Sequence, residues 1–169
     1  MSGLPELSAL CQIVVDAAEQ TGLSNFGLRH AEAKADGSIV TDLDHEMQRI
    51  ISTQLKSRWP EFSFMGEEMD HGEQAQIVTD GQETGFWALD PLDGTTNFAM
   101  GFPFYGVSLA LVVKGEPKLG VVYDPVRREC FSASAGEGAY LGGTPLKTPQ
   151  SPLALRECVA NIDYKRLVS

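Results

Sequence analysis

Residues 105–143, YGVSLALVVKGEPKLGVVYDPVRRECFSASAGEGAYLGG, decide the fold. Short apolar or alternating runs, YGVSLALVV, LGVVYD, CFSASA and GAYLGG, read as strands. Turn signals separate them at Lys114-Gly115-Glu116-Pro117, Asp124-Pro125 and Gly136-Glu137-Gly138. Most of these links are too short for a crossover helix, so the sheet is expected to be largely antiparallel. Upstream, FSFM and GFWALD have the same texture and extend the set of strands.

Before Phe62 the period changes. LPELSALCQIVVDAAEQTG places Leu7, Leu10, Cys11, Val14, Val15 and Ala18 on one helical face, with Gly22 as terminator. DLDHEMQRIISTQLKSRWP does the same with Leu43, Met47, Ile50, Ile51 and Leu55. Thr41 or Asp42 caps its start and Pro60 stops it. Between the helices, Asp36-Gly37 reads as a turn joining short extended pieces. Two N-terminal helices packed on a largely antiparallel sheet make an α+β layered sandwich. Residues 1–150 form one domain in this reading. Residues 151–169 read as the start of a C-terminal half, because Asp163 looks like a helix cap that the chain follows for only about two turns. The sequence is therefore expected to be the first part of a longer protein.

With 169 residues, 43% of them hydrophobic and 21% charged, the chain can bury a core and is not of the disordered class. A net charge of −10 argues against nucleic acid or an anionic membrane as partner. It would also repel a phosphorylated substrate, unless a divalent cation intervened. Cys11, Cys130 and Cys158 form no C-x-x-C pair, which suits reduced thiols in a cytoplasm. MSGLPELSAL lacks the pattern of a signal peptide, and no run approaches the roughly 18 apolar residues of a membrane span. A soluble cytoplasmic protein is expected.

The chemistry concentrates in DPLDGTTN, residues 90–97. Phe86 to Leu89 is buried-strand material, so Asp90 is expected to emerge at a strand end. Pro91 holds φ near −65° and has no N–H. The Leu92 carbonyl and the Asp93 carboxylate can then face the same point as Asp90. Gly94 permits a φ that other residues resist. Thr95, Thr96 and Asn97 supply free N–H groups at a helix start, an anion site. Oxygen ligands beside such a cradle suit Mg²⁺ with phosphate. Taken alone, P-x-D-G is also an ordinary turn. Its company is FMGEE, a strand ending in Gly66 that delivers Glu67 and Glu68.

Three stretches together, VTDLD, MGEE and WALDPLDGTTNF, resemble the inositol monophosphatase family of Mg²⁺-dependent phosphatases, and the strand pattern that follows is similar too. The resemblance covers nearly the whole chain. It implies a sugar-phosphatase-like fold, of which this would be the N-terminal half. By the same resemblance, Glu67 and Asp90 are metal ligands with the Leu92 carbonyl, Asp93 is a ligand of a second metal, and Asp90 bridges. Gly94 and Thr95 would bind phosphate through the backbone. The Thr95 hydroxyl would hold the attacking water, Asp44 would orient Thr95, and Glu68 would support. The implied activity is hydrolysis of inositol monophosphate or a similar polyol or sugar phosphate by metal-activated water. Relatives acting on fructose 1,6-bisphosphate or a 3′-phosphonucleotide are the enzymatic alternatives. A non-catalytic metal- and phosphate-binding domain is the other alternative. The family's second half carries a further aspartate in a W-D-x-A-A-G-like motif, and these 169 residues contain none. The resemblance also implies a homodimer.

Other residues attract blander readings. His30, His45 and His71 show no metal-ligand spacing. EEMDHGEQAQ reads as a solvated loop, Trp59 and Trp87 as core aromatics, and Lys34 as a surface lysine.

Overall fold

The computed structural model describes residues 4–23, 31–33, 39–148 and 156. His30, Lys34, the Asp36-Gly37 turn, Cys158, the Asp163 cap and nearly all of 151–169 lie outside these described residues. Helix α1, Leu7–Thr21, buries Leu10, Ile13, Val14, Ala17 and Ala18. Leu7, Cys11 and Val15 are only partly buried at its margin, so the covered face is turned toward Ile13 and Ala17 relative to the expected one. Gly22 ends it at φ 68°, a left-handed turn in which Gly22 N–H donates to Glu19 O and Leu23 N–H to Ala18 O. A short hairpin follows, β1 (Ala31–Ala33) antiparallel to β2 (Ile39–Thr41). Helix α2, Asp42–Arg58, begins directly after β2 and buries Leu43, Asp44, Met47, Ile51 and Leu55.

Strand β3, Ser63–Gly66, is followed by helix α3, His71–Thr84, and strand β4, Phe86–Asp93. The helix corrects the expected loop. Asp70 caps it by accepting from Gly72 N–H at 2.7 Å. Its presence has a topological reason. β3 and β4 pair in parallel, Ser63 beside Phe86 and Gly66 beside Leu89, and parallel neighbours need a crossover.

After a short helix α4, Thr95–Ala99, come β5 (Gly106–Val113), β6 (Glu116–Asp124), β7 (Glu129–Ser134), β8 (Gly138–Leu141) and β9 (Thr144–Pro145). The main sheet runs β3-β4-β5-β6-β7-β8-β9, antiparallel everywhere except β3–β4. The α+β layering and the antiparallel meander stand as read from the sequence. Trp87, Leu89, Val107, Leu109, Leu111, Leu119, Val121 and Tyr123 alternate onto one face and are buried with α1 and α2. Each such side chain contributes about 1.5–3 kcal/mol by leaving water. Trp87 is fully covered, its ring 5.7 Å from Trp59 and 5.8 Å from Phe62. On the other face α3 lies against Phe86, where a Cβ on Gly81 would come within 2.8 Å of the ring.

Candidate functional site

The parallel pairing of β3 and β4 creates the site. Gly66 stands beside Leu89, and Glu67 N–H donates to Leu89 O at 3.0 Å. Glu67 and Asp90, the next residues along the two strands, are thereby set side by side. A Cβ at Gly66 would fall 2.0 Å from the Gln48 side-chain oxygen, so any other residue would push the end of that glutamine off this corner. On the other side, Gln74 of α3 donates to the carbonyls of Gly66 and Glu67 at 2.9 and 3.1 Å. Neither glutamine was singled out in the sequence. Gln74 sat in a stretch read as loop, and Gln48 is a helix-face position that only the packing distinguishes.

β4 does not stop at Asp90 as expected. It continues to Asp93 through a slip in register, with Asp90 opposite Ser108 and Asp93 opposite Gly106. Three steps on β4 match two on β5, so one extra residue bulges the strand at Pro91-Leu92. A proline suits such a bulge because it has no N–H to give the ladder. Leu92 is fully buried and its N–H donates back to Asp90 Oδ1 at 3.1 Å. Asp93 ends the strand exposed.

Gly94 then turns the chain at φ 89°, with Phe104 O only 3.0 Å from where a Cβ would be. The glycine cap has no side chain to offer, so the first amides of α4 receive no side-chain cap. The Thr95 hydroxyl lies 2.8 Å from Leu92 O and 3.3 Å from Asp44 Oδ1. Asp44 itself is completely buried. Asn97 donates to Phe104 O at 2.7 Å, tying α4 to the segment that returns to β5.

The electrostatics match this geometry. Burial pushes the Asp90 carboxyl up from its ordinary 3.8 to about 7, the charges of Glu67 and Asp93 push the same way, and a hydrogen bond with Glu67 adds to them. The Leu92 N–H bond opposes the rise. Three acidic groups thus share one negative field. Among the described residues, no three Asp, Glu, His or Cys side chains converge as a ready-made metal cage. The donors at hand are carboxylate and carbonyl oxygens, the hard type that suits Mg²⁺. A cation at Asp90 would relieve the repulsion that protonation relieves without it, so these residues fit the ion. Of the residues anticipated for the site, Asp44, Glu67, Asp90, Leu92, Asp93, Gly94 and Thr95 lie along this corner or are joined to it by the contacts above. A groove on α1 and α2 lined by Gln20, Glu46, Arg49 and Thr53 includes none of them.

The profile of the inositol monophosphatase family matches residues 6–167. Inositol monophosphatase 3 of Solanum lycopersicum is 38% identical over 163 residues, covering 92% of this chain and 60% of that protein. The Thermotoga maritima IMPase superposes with a TM-score of 0.72 at 30% identity, over 85% of this chain and 54% of the other. An IMPase/NADP phosphatase solved with Mg²⁺ and phosphate gives 0.68 at 27% identity, over 86% and 52%. The chain spans about half to three fifths of the length of such relatives. On this likeness of sequence and fold, the chain belongs to the inositol monophosphatase family.

Proposed function

We propose that the protein is an Mg²⁺-dependent phosphomonoesterase acting on inositol monophosphate or a similar polyol or sugar phosphate. The observation that carries the reading is the meeting of Asp90 with Glu67 and Asp93 beside a threonine bonded toward a buried aspartate. Glu67, Asp90, Asp93 and the Leu92 carbonyl would hold the metal. When bound, Mg²⁺ supplies positive charge that neutralises phosphate oxygens and makes an adjacent water easier to deprotonate.

The chain's own residues supply the positioning. Thr95 has a single hydroxyl proton, and both acceptors within reach, Leu92 O and Asp44 Oδ1, are parts of the protein. Donating inward, its oxygen presents lone pairs outward, where they accept a hydrogen bond from the attacking water and aim that water at phosphorus. Asp44 keeps the hydroxyl in this sense. The amides of Gly94 and Thr95 would hold phosphate oxygens as charge shifts to the leaving alkoxide. Such holding, rather than a covalent nucleophile, accounts for most of the rate in phosphoryl transfer. The resemblance also supports a homodimer, and cysteines without a C-x-x-C pair suit a cytoplasmic setting. No described helix is long and apolar enough to cross a membrane.

A second reading is a metal- and phosphate-binding domain without turnover. It is favoured by the lack, among the described residues, of a closed three-side-chain metal cage. One experiment separates the two. Phosphate release is measured with and without Mg²⁺ on inositol monophosphate, fructose 1,6-bisphosphate and a 3′-phosphonucleotide, alongside calorimetric titration with Mg²⁺ and inorganic phosphate. Mg²⁺-dependent release, fastest on inositol monophosphate, is the expected result. Release fastest on another substrate selects that relative's activity, and binding without release selects the second reading. No Mg²⁺ binding at all defeats both.

A further inference from the structure

The packing of α1 on the sheet brings together two thiols that the carboxylate site does not use. Cys11 lies three and four residues before Val14 and Val15 on α1. Cys130 is in β7, opposite Tyr123 of β6, and Ser132 is opposite Val121. Tyr123 and Val121 are buried under the helices, and strand alternation puts Cys130 and Ser132 on that same covered face. Both cysteines are free and half-buried against the core. Helix α1 packs on β7, which sets the Cys11 thiol against Cys130 and Ser132. β7 is the third strand along from β4, so the pair stands apart from the carboxylates.

We propose that Cys11 and Cys130 form a peroxide-reactive dithiol that oxidises to a disulfide linking α1 to β7. In the first step the Cys11 thiolate attacks one oxygen of hydrogen peroxide. The O–O bond breaks, Cys11 becomes a sulfenic acid, and the other oxygen leaves as hydroxide and is protonated to water. In the second step the Cys130 sulfur attacks the sulfenic sulfur and the S–O bond breaks. The departing hydroxide takes the Cys130 proton and leaves as water. Two thiols lose two protons and two electrons, and one peroxide becomes two waters.

The environment divides the roles. The hydrogen bond from Cys130 draws the Cys11 thiol down from its ordinary 9.0 to about 6; burial opposes this and Ser132 assists. The same hydrogen bond, burial and the Cys11 charge push the Cys130 thiol up. Cys11 is the attacking sulfur, and Cys130 keeps its proton until it resolves the sulfenic acid.

The test is peptide mapping of the native protein after brief hydrogen peroxide treatment and alkylation. A Cys11–Cys130 cross-linked peptide that dithiothreitol abolishes is expected. In the untreated protein, iodoacetamide should modify Cys11 about tenfold or more faster than Cys130. In Cys130→Ser, dimedone should trap Cys11 as sulfenic acid. Peroxide that leaves Cys11 a free thiol, or links it to Cys158 or to a second chain, overturns the proposal. So does equal alkylation of Cys11 and Cys130. The peptide mapping and the iodoacetamide rates use the unmutated protein and do not depend on how a variant folds.

Discussion

Thr95 Oγ1 lies 3.3 Å from Asp44 Oδ1, although 51 residues of chain separate them. One comes from the first turn of α4 and the other from the first turn of α2. Asp44 is fully buried while Thr95 is half-exposed, so the pair leads from the core to the mouth of the carboxylate corner.

If this hydroxyl orients water, removing it should harm turnover more than binding. Thr95→Val is expected to lower kcat by about 10²–10⁴-fold, the range typical of a positioned proton-handling group, with KM little changed. Thr95→Ser keeps the hydroxyl and should retain most of the rate. Steady-state kinetics on inositol monophosphate decide. Equal losses for the two variants would remove the hydroxyl from the mechanism.

Asp93 ends β4 in an exposed position, and its neutral isostere should fold normally. Asp93→Asn is expected to abolish Mg²⁺-dependent turnover while changing stability by no more than about 0.5 kcal/mol. Denaturant unfolding and phosphate release measure the two halves. A folded variant with near-normal rate would falsify the ligand assignment.

Without metal, the raised Asp90 pKa makes the fold pH-sensitive. The folded state holds a proton up to about 7 that the unfolded chain releases near 3.8. Between these values the folded state binds more protons, so stability falls as pH rises. The contribution is complete below about 3.8 and lost above about 7. Mg²⁺ competes with that proton, so its stabilising effect should grow from pH 5 to pH 8. Thermal melts across this range, with and without Mg²⁺, should show the two curves diverging. Asp90→Asn should flatten this component of the metal-free curve, and an unchanged slope in that variant would sink the assignment.

Gly94 carries the turn between the metal corner and the phosphate amides. Gly94→Ala sets a side chain at φ 89°, 3.0 Å from Phe104 O. A loss of about 1–3 kcal/mol is expected from the strained backbone alone. Chemical denaturation checks the size; a variant as stable as the parent would mean that the turn relaxes freely.

Much of the sheet and the two long helices could be read directly. The meander from Tyr105 to Gly143 alternates with period two and is punctuated by glycines, so its signal is local. Helix α3 escaped because HGEQAQIVTDGQET carries two glycines and few apolar residues, and among them only Gly81 is buried. Its trace was the interval, since residues 67–85 are far more than a hairpin needs and are long enough for a crossover. The acidic residues of the site were visible as motifs. Their relative placement came only with the family resemblance and not from the residues themselves, because Glu67 meets Asp90 only through a parallel register, and the Pro91-Leu92 bulge depends on a partner strand. Gln74 acts through hydrogen bonds to the carbonyls of Gly66 and Glu67, and Gln48 fills the space that the absent Gly66 side chain leaves, neither of which any spacing in the sequence encodes.

The parallel seam between β3 and β4 also bears on the order of assembly. Hairpins from β5 to β8 close over short loops, whereas β3 can dock only after the α3 crossover has been threaded, a slower kind of closure. Glu67 rides on that late strand and Asp90 on its neighbour. The topology therefore predicts that the antiparallel meander closes before the two acids are brought into mutual repulsion, which hydrogen exchange during refolding would show as late protection at Gly66 and Glu67.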